Sequence, residues 1–194
     1  MNLSKRQIEI VEAATKLIGE KGIQNLTTKN LALEMGFSEP ALYRHFSGKT
    51  DILKAVLVYY KEKLKSGLQS VLESQLNGLE KLEQMMKFQF NHFSNNPAVI
   101  MVIFAETSFQ YDNVLSKMVV EILEQKQLLV SQIIRMGQDG GSIRKDIDAT
   151  QLATLIMGSM RFTVLRWRLS DFSFDLRKKG VSLWQSTEKL IKKG

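Results

Sequence analysis

Tyr43, Arg44 and His45 follow one another directly, placing a phenol, a guanidinium and an imidazole within a single helical turn. Each can hydrogen-bond a phosphate oxygen. Just ahead of them Ser38, Pro40 and Ala41 are small or compact, so a backbone carrying them can approach base edges closely. Lys49 opens the next helical pattern, and a helix N-terminus is itself an anion site. These residue types at this spacing suit contact with a nucleic-acid backbone and groove.

Two short helices have to position them. Thr28 suits an N-cap, and Leu31, Ala32 and Met35 then recur at the three/four spacing of one helical face. Gly36 falls where a helix end favours positive φ, and Phe37 can tuck beneath the turn. Ser38 is expected to cap the second helix, with Glu39 and Pro40 in its first turn, where a carboxylate suits the helix dipole and a proline loses no hydrogen bond. Ala41, Leu42 and Phe46 form its buried side, which turns Tyr43, Arg44 and His45 elsewhere. Helix, glycine turn and capped helix make the pattern of a helix-turn-helix, whose second helix enters the DNA major groove. On spacing alone, a small helical hairpin with a solvated polar face fits equally well.

The paired threonines, Leu31-Ala32, Met35-Gly36-Phe37-Ser38, Ala41-Leu42-Tyr43, His45-Phe46 and Lys49 with Leu53 together resemble the DNA-binding domain of the TetR (TetR/AcrR-like) family of bacterial transcriptional regulators. The likeness is close through the first quarter or so of the chain; beyond it, only the helix order resembles the family. It implies that Thr28, Tyr43, His45 and Lys49 contact phosphates, and that Lys29 on the first helix and Ser38, Glu39, Pro40, Ala41 and Arg44 on the second face bases or the groove. Gly48 departs from the more usual serine or asparagine. Glu39 could accept from a cytosine amino group, but a helix-capping role is the favoured reading.

The 194 residues are 44% hydrophobic, with two prolines, twelve glycines and no cysteine. Long three/four periodicities and few breakers predict an all-α chain of about nine helices. Without cysteine there are no disulfides or thiolate metal sites, which suits a reducing cytoplasm. The start turns into an amphipathic helix with no apolar leader, and the longest apolar run, 98–105, is too short to cross a bilayer. A cytoplasmic protein is expected. Of the two histidines, His45 lies in the motif and His92 has nothing nearby to mark a triad. No histidine pair, phosphate-cradling glycine loop or strand pattern is present, so neither an enzyme nor a metal or cofactor is expected.

The division expected is residues 1–48 as a helix-turn-helix domain and 49–194 as a helical effector-binding and dimerisation domain. A first helix, capped near Ser4 and ended by Gly22, supports the motif. A fourth, from Gly48-Lys49 onward, has no breaker before Gly67 and crosses that boundary; transmission along it is what the resemblance implies. Asn77-Gly78, Asn95-Asn96-Pro97 and the loop 139–142 mark later breaks, with Tyr111-Asp112 at a junction and Asp148 as an N-cap. From Ala149 to Met160 there is no charge and the helix is apolar all round, so it needs cover on every side. A second copy is the expected cover, meeting Leu152, Leu155, Ile156, Ser159, Thr163 and, from the last helix, Trp184; complete burial within the monomer is the alternative.

Phe and Met are frequent in the fifth to eighth helices, and such side chains line adaptable apolar pockets. Met85, Met86, Phe88, His92, Phe104, Met118, Met157 and Arg161 are the candidate contacts for a small hydrophobic effector, anionic if Arg161 points inward; core packing is the commoner fate of such residues. Glu106 and Arg135 are further polar candidates. Net charge is +2 over residues 1–60, −1 over 61–160 and +6 over 161–194, where Arg161, Arg166, Arg168, Arg177, Lys178 and Lys179 read as a solvated rim rather than a second nucleic-acid contact. The function expected is that of a homodimeric, ligand-responsive DNA-binding repressor; the alternative is a TetR-like protein without an effector that serves a protein partner.

Overall fold

The structure, a computed structural model, describes residues 3–105, 109 and 112–193. Glu106 and Tyr111 lie outside the described residues. Nine α-helices occur among those described: α1 Lys5–Lys21, α2 Thr28–Glu34, α3 Glu39–Tyr43, α4 Lys49–Glu73, α5 Gly78–Asn95, α6 Pro97–Ile103, α7 Asn113–Asp139, α8 Ala149–Leu169 and α9 Leu176–Ile191. A 3-10 turn, Ile23–Asn25, joins α1 to α2. The one extended pairing described is an isolated antiparallel bridge, Ile143 to Lys192.

Local chemistry sets most helix ends. Ser4 and Gln7 form a reciprocal capping box on α1, and Gly22, at φ 81°, closes that helix. Asn77 Oδ1 accepts from the amides of Leu79 and Glu80, while Glu80 accepts from Asn77 N–H, so α5 starts with the same device. Asp148 and Asp175 cap α8 and α9 through their own carboxylates. Gly67 is no breaker, because α4 runs through it: a Cβ there would lie 2.0 Å from the Phe88 ring, so glycine lets the aromatic close on the helix.

The chain divides into two compact units, residues 1–64 with 96–121, and residues 65–95 with 122–194. Both cuts fall inside helices, α4 and α7, rather than at residue 48. The first unit includes α6 because α1 packs against it; Gly19 passes so close to Ala98 that a Cβ would lie 2.6 Å from the alanine's own. Its core gathers Ile10, Val11, Leu17, Ile18, Leu31, Leu42, Phe46, Ile52 and Val56. In the second unit α9 packs on α5 and α8, with Gly180 against the Phe90 ring. Gly78 of α5 meets Gly137 of α7 backbone to backbone.

Candidate nucleic-acid interface

The turn between α2 and α3 is a Schellman closure. Phe37 N–H donates to Ala32 O and Gly36 N–H to Leu33 O, with Gly36 at φ 66°. Phe37 is half-buried and lies under the Arg6 guanidinium, 4.9 Å from its ring centre. Thr27, not Thr28, is the N-cap of α2, accepting from Asn30 N–H. Thr28 is thereby freed for side-chain contacts: its hydroxyl donates to Glu39 Oε2 at 3.2 Å and stands 3.4 Å from the Tyr43 phenol. Glu39 holds the start of α3 to α2 this way. Ser38 occupies the cap position of α3, but its side chain makes no capping bond. The expected capping role of Thr28 passes to Thr27, which has the extended backbone a cap needs, while Ser38 holds the expected N-cap position with an extended backbone but without a side-chain bond.

Leu42 and Phe46 are buried, as the pattern requires, and Ala41 is half-buried. Tyr43 remains 51% exposed, and Ser38, Pro40, Arg44, Lys29 and Lys49 are exposed beside it. His45 is half-buried, and its carbonyl accepts from Gln7 Nε2 at 3.1 Å. Gln7 therefore both caps α1 and pins the end of the reading helix. Its signal in the sequence is the Ser4-x-x-Gln7 spacing, which announces the cap but not the second bond. Lys49 Nζ donates to Ile23 O at 3.1 Å. Leu33, unassigned from the sequence, is strongly exposed on α2. The first unit thus brings Thr28, Glu39 and Tyr43 together and leaves three cations, Lys29, Arg44 and Lys49, exposed around them.

Residues 10–56 match the model of the bacterial regulatory proteins of the tetR family, and residues 79–176 match a tetracyclin repressor-like C-terminal domain. The chain belongs to the TetR family. It is a DNA-binding transcriptional regulator built on a helix-turn-helix. The nucleoid occlusion factor SlmA of Aliivibrio fischeri (strain MJ11) is 25% identical over 180 residues, 92% of each chain. Two solved TetR-like folds are similar throughout. FadR of Bacillus subtilis, in complex with stearoyl-CoA, is 23% identical with a TM-score of 0.79, over 93% of this chain and 96% of that one. A regulator from Saccharomonospora viridis, in complex with choline, is 20% identical with a TM-score of 0.85, over 98% and 99%.

The remaining candidates of this TetR-family chain divide between the two units. Phe104 and Met118 fall in the first, while Met85, Met86, Phe88, His92, Met157 and Arg161 fall in the second. Met85 and Met86 are fully buried core, the others half-buried, and Arg135 is exposed. Phe88 stacks on His92 at 6.1 Å. Missed from the sequence is Lys126, whose amine donates to the buried Gln89. Burial first, then the nearby Arg161 charge, bring its pKa down to about 8. An open cavity of about 460 Å³ lies elsewhere in that unit, lined by Arg144, Lys145, Asp146, Lys192 and Lys193.

The expected interface residues need correction. Leu152, Ile156 and Trp184 are buried in the protomer's own core, and Ser159 and Thr163 are half-buried with their hydroxyls bonded to carbonyls one turn back on α8. Leu155 alone of that set projects outward, joined by Phe162 and Leu169, which periodicity does not single out. The face is misplaced because α8 is apolar on both sides, so spacing cannot say which side the protomer covers. No helix among the described residues is long and apolar enough to cross a membrane.

Proposed function

We propose that this regulator is a cytoplasmic, ligand-responsive repressor that binds a pseudo-palindromic operator as a homodimer, with residues 1–48 reading DNA and 49–194 serving effector binding and dimerisation. The observation that carries the DNA half is the exposed Tyr43–Arg44 edge beside Lys29 and Lys49, on a reading helix pinned at both ends by Glu39 and by Gln7. Tyr43, His45, Thr28 and Lys49 take phosphates; Lys29, Pro40, Ala41 and Arg44 face the groove. Two such heads in successive major grooves suit a two-fold operator. The exposed apolar stripe of α8 supports pairing of two chains. An effector that favours a different spacing of the heads would release the operator by population shift.

Neighbours in complex with stearoyl-CoA and with choline support a ligand-holding role for this fold, though with ligands of unlike charge. A second reading has support in the SlmA relatives, which match over nearly the whole chain: DNA binding in the service of a protein partner, without an effector. The deciding experiment is retention of the chain's own promoter region at low ionic strength, followed by addition of candidate effectors. Retention that an effector abolishes supports the repressor. Retention that no small molecule alters favours the partner-serving reading, and no retention at all overturns both.

A further inference from the structure

Glu39 stands at the start of α3, half-buried and one turn ahead of Tyr43. Its Oε2 accepts from the Thr28 hydroxyl at 3.2 Å. That hydroxyl has a single hydrogen, so in the 3.4 Å contact between Thr28 and Tyr43 the phenol is the donor. The two hydroxyls thus run as a chain from Tyr43 through Thr28 into the carboxylate, and Oε1 is left over. Oε1 accepts from no group among the described residues, and Glu39 forms no ion pair there. Lys29, Arg44 and Lys49 are exposed in the same unit, yet none of them pairs with it.

A carboxylate without a cation is out of place on a surface that meets DNA. It repels the phosphates near it, and so lowers affinity for duplexes of any sequence. The first residues of a reading helix are the ones that meet base edges, and Ser38, Pro40 and Ala41 beside Glu39 are compact enough to let it approach. There an ionised carboxylate can only accept. In the major groove guanine offers the acceptors O6 and N7, thymine offers O4, and adenine sets its amino group beside the acceptor N7. Cytosine presents an amino group alone.

We propose that Glu39 is a specificity-determining residue of the DNA site: held by Thr28 through Oε2, it turns Oε1 to the N4 amino group of a cytosine in each half of the operator. This rests on the DNA-binding half of the proposed function and names a base which that reading leaves open. At cytosine the charge-assisted bond offsets the repulsion from the phosphates; at any other base the repulsion stands alone. Discrimination therefore comes from attraction and repulsion together. Thr28 keeps its backbone N–H, unbonded at the start of α2, for a phosphate.

The test is selection of bound duplexes from a random-sequence pool by the full chain, then titration of the selected site with each base pair changed in turn. For the wild type one cytosine per half-site should be required, its replacement costing about tenfold in affinity. Glu39→Gln keeps an acceptor for Thr28 and removes the charge. It should admit adenine at that position, because an amide matches adenine N6 and N7, and it should hold unrelated DNA more tightly than the wild type. Glu39→Ala should lose the preference at that position and no other. Should the alanine variant fold poorly, the glutamine variant decides alone. A wild-type motif without such a cytosine overturns the proposal, as do variants that select the wild-type motif with every position costing the same as before. A loss spread evenly over all positions also overturns it, since that is the mark of a residue that only ties α3 to α2. Each of these sinks the Glu39 role and leaves the regulator reading standing, whereas a wild type that enriches no sequence sinks both.

Discussion

Lys49 shows how one side chain can hold the fold and meet a ligand at once. Its amine donates to Ile23 O at 3.1 Å, tying the start of α4 to the turn between α1 and α2, yet the side chain stays exposed. An ammonium has three donors, so the bond to the carbonyl aims the group without exhausting it. Exposed cations that touch phosphate act on every DNA sequence alike, through release of condensed counterions. Lys49→Ala should therefore weaken binding to operator and to unrelated DNA together. The slope of log affinity against log salt should become shallower by about 0.9 for each phosphate that is no longer neutralised. Titrations at several salt concentrations give the slope, and an unchanged slope would place Lys49 off the backbone. Tyr43, Arg44 and Lys49 are all legible in the sequence as exposed chemistry, because the buried partners Leu42 and Phe46 fix the helix face from local spacing. Lys126 is not: a single lysine among the charges of α7 carries no local sign that Gln89, thirty-seven positions away, will meet it.

At the level of helices, the crossing of α5 and α7 is set by what is missing from Gly78. A Cβ there would lie 2.3 Å from Gly137 N and 2.6 Å from Ile133 O. Both are backbone atoms, and no rotamer change moves them. Gly78→Ala must push the two helices apart, and a cost of about 1–3 kcal/mol is expected, as for other overpacked sites. Chemical denaturation measures it; a variant as stable as the parent would mean that the start of α5 can swing away freely. The sequence marks Gly78 as a break, and rightly so for a separate reason, since Asn77 caps there. Caps are visible in sequence because both partners lie within four residues. Gly67 looks like a breaker and is not one for the opposite reason: its requirement comes from Phe88, on another helix. The Thr27–Thr28 pair leaves the cap uncertain by one residue because either threonine can serve, and only the backbone angle distinguishes them.

For the molecule as a whole, the outer face of α8 is the surface that matters most. Leu155, Phe162 and Leu169 are 65%, 61% and 70% exposed, and their seven-residue spacing puts them along one side of the helix. Leu152, Ile156, Met160, Val164 and Trp167 occupy the other side and are already buried. The helix therefore has an inner face that the protomer satisfies and an outer face of large apolar side chains that it leaves in water. Such a stripe marks an interaction surface, and a two-fold axis lets one stripe serve as its own complement. Replacing Leu155 and Phe162 by glutamate places two carboxylates on each chain, facing two more across the axis. Sedimentation should then change from twice the chain mass for the parent to a single chain for the variant, while the helical circular dichroism stays the same because both positions are exposed within the protomer. Operator affinity should fall with it, since one head alone makes half the phosphate contacts. A variant that still sediments as a pair would move the interface off α8, and with it the geometry by which two heads could match a two-fold operator.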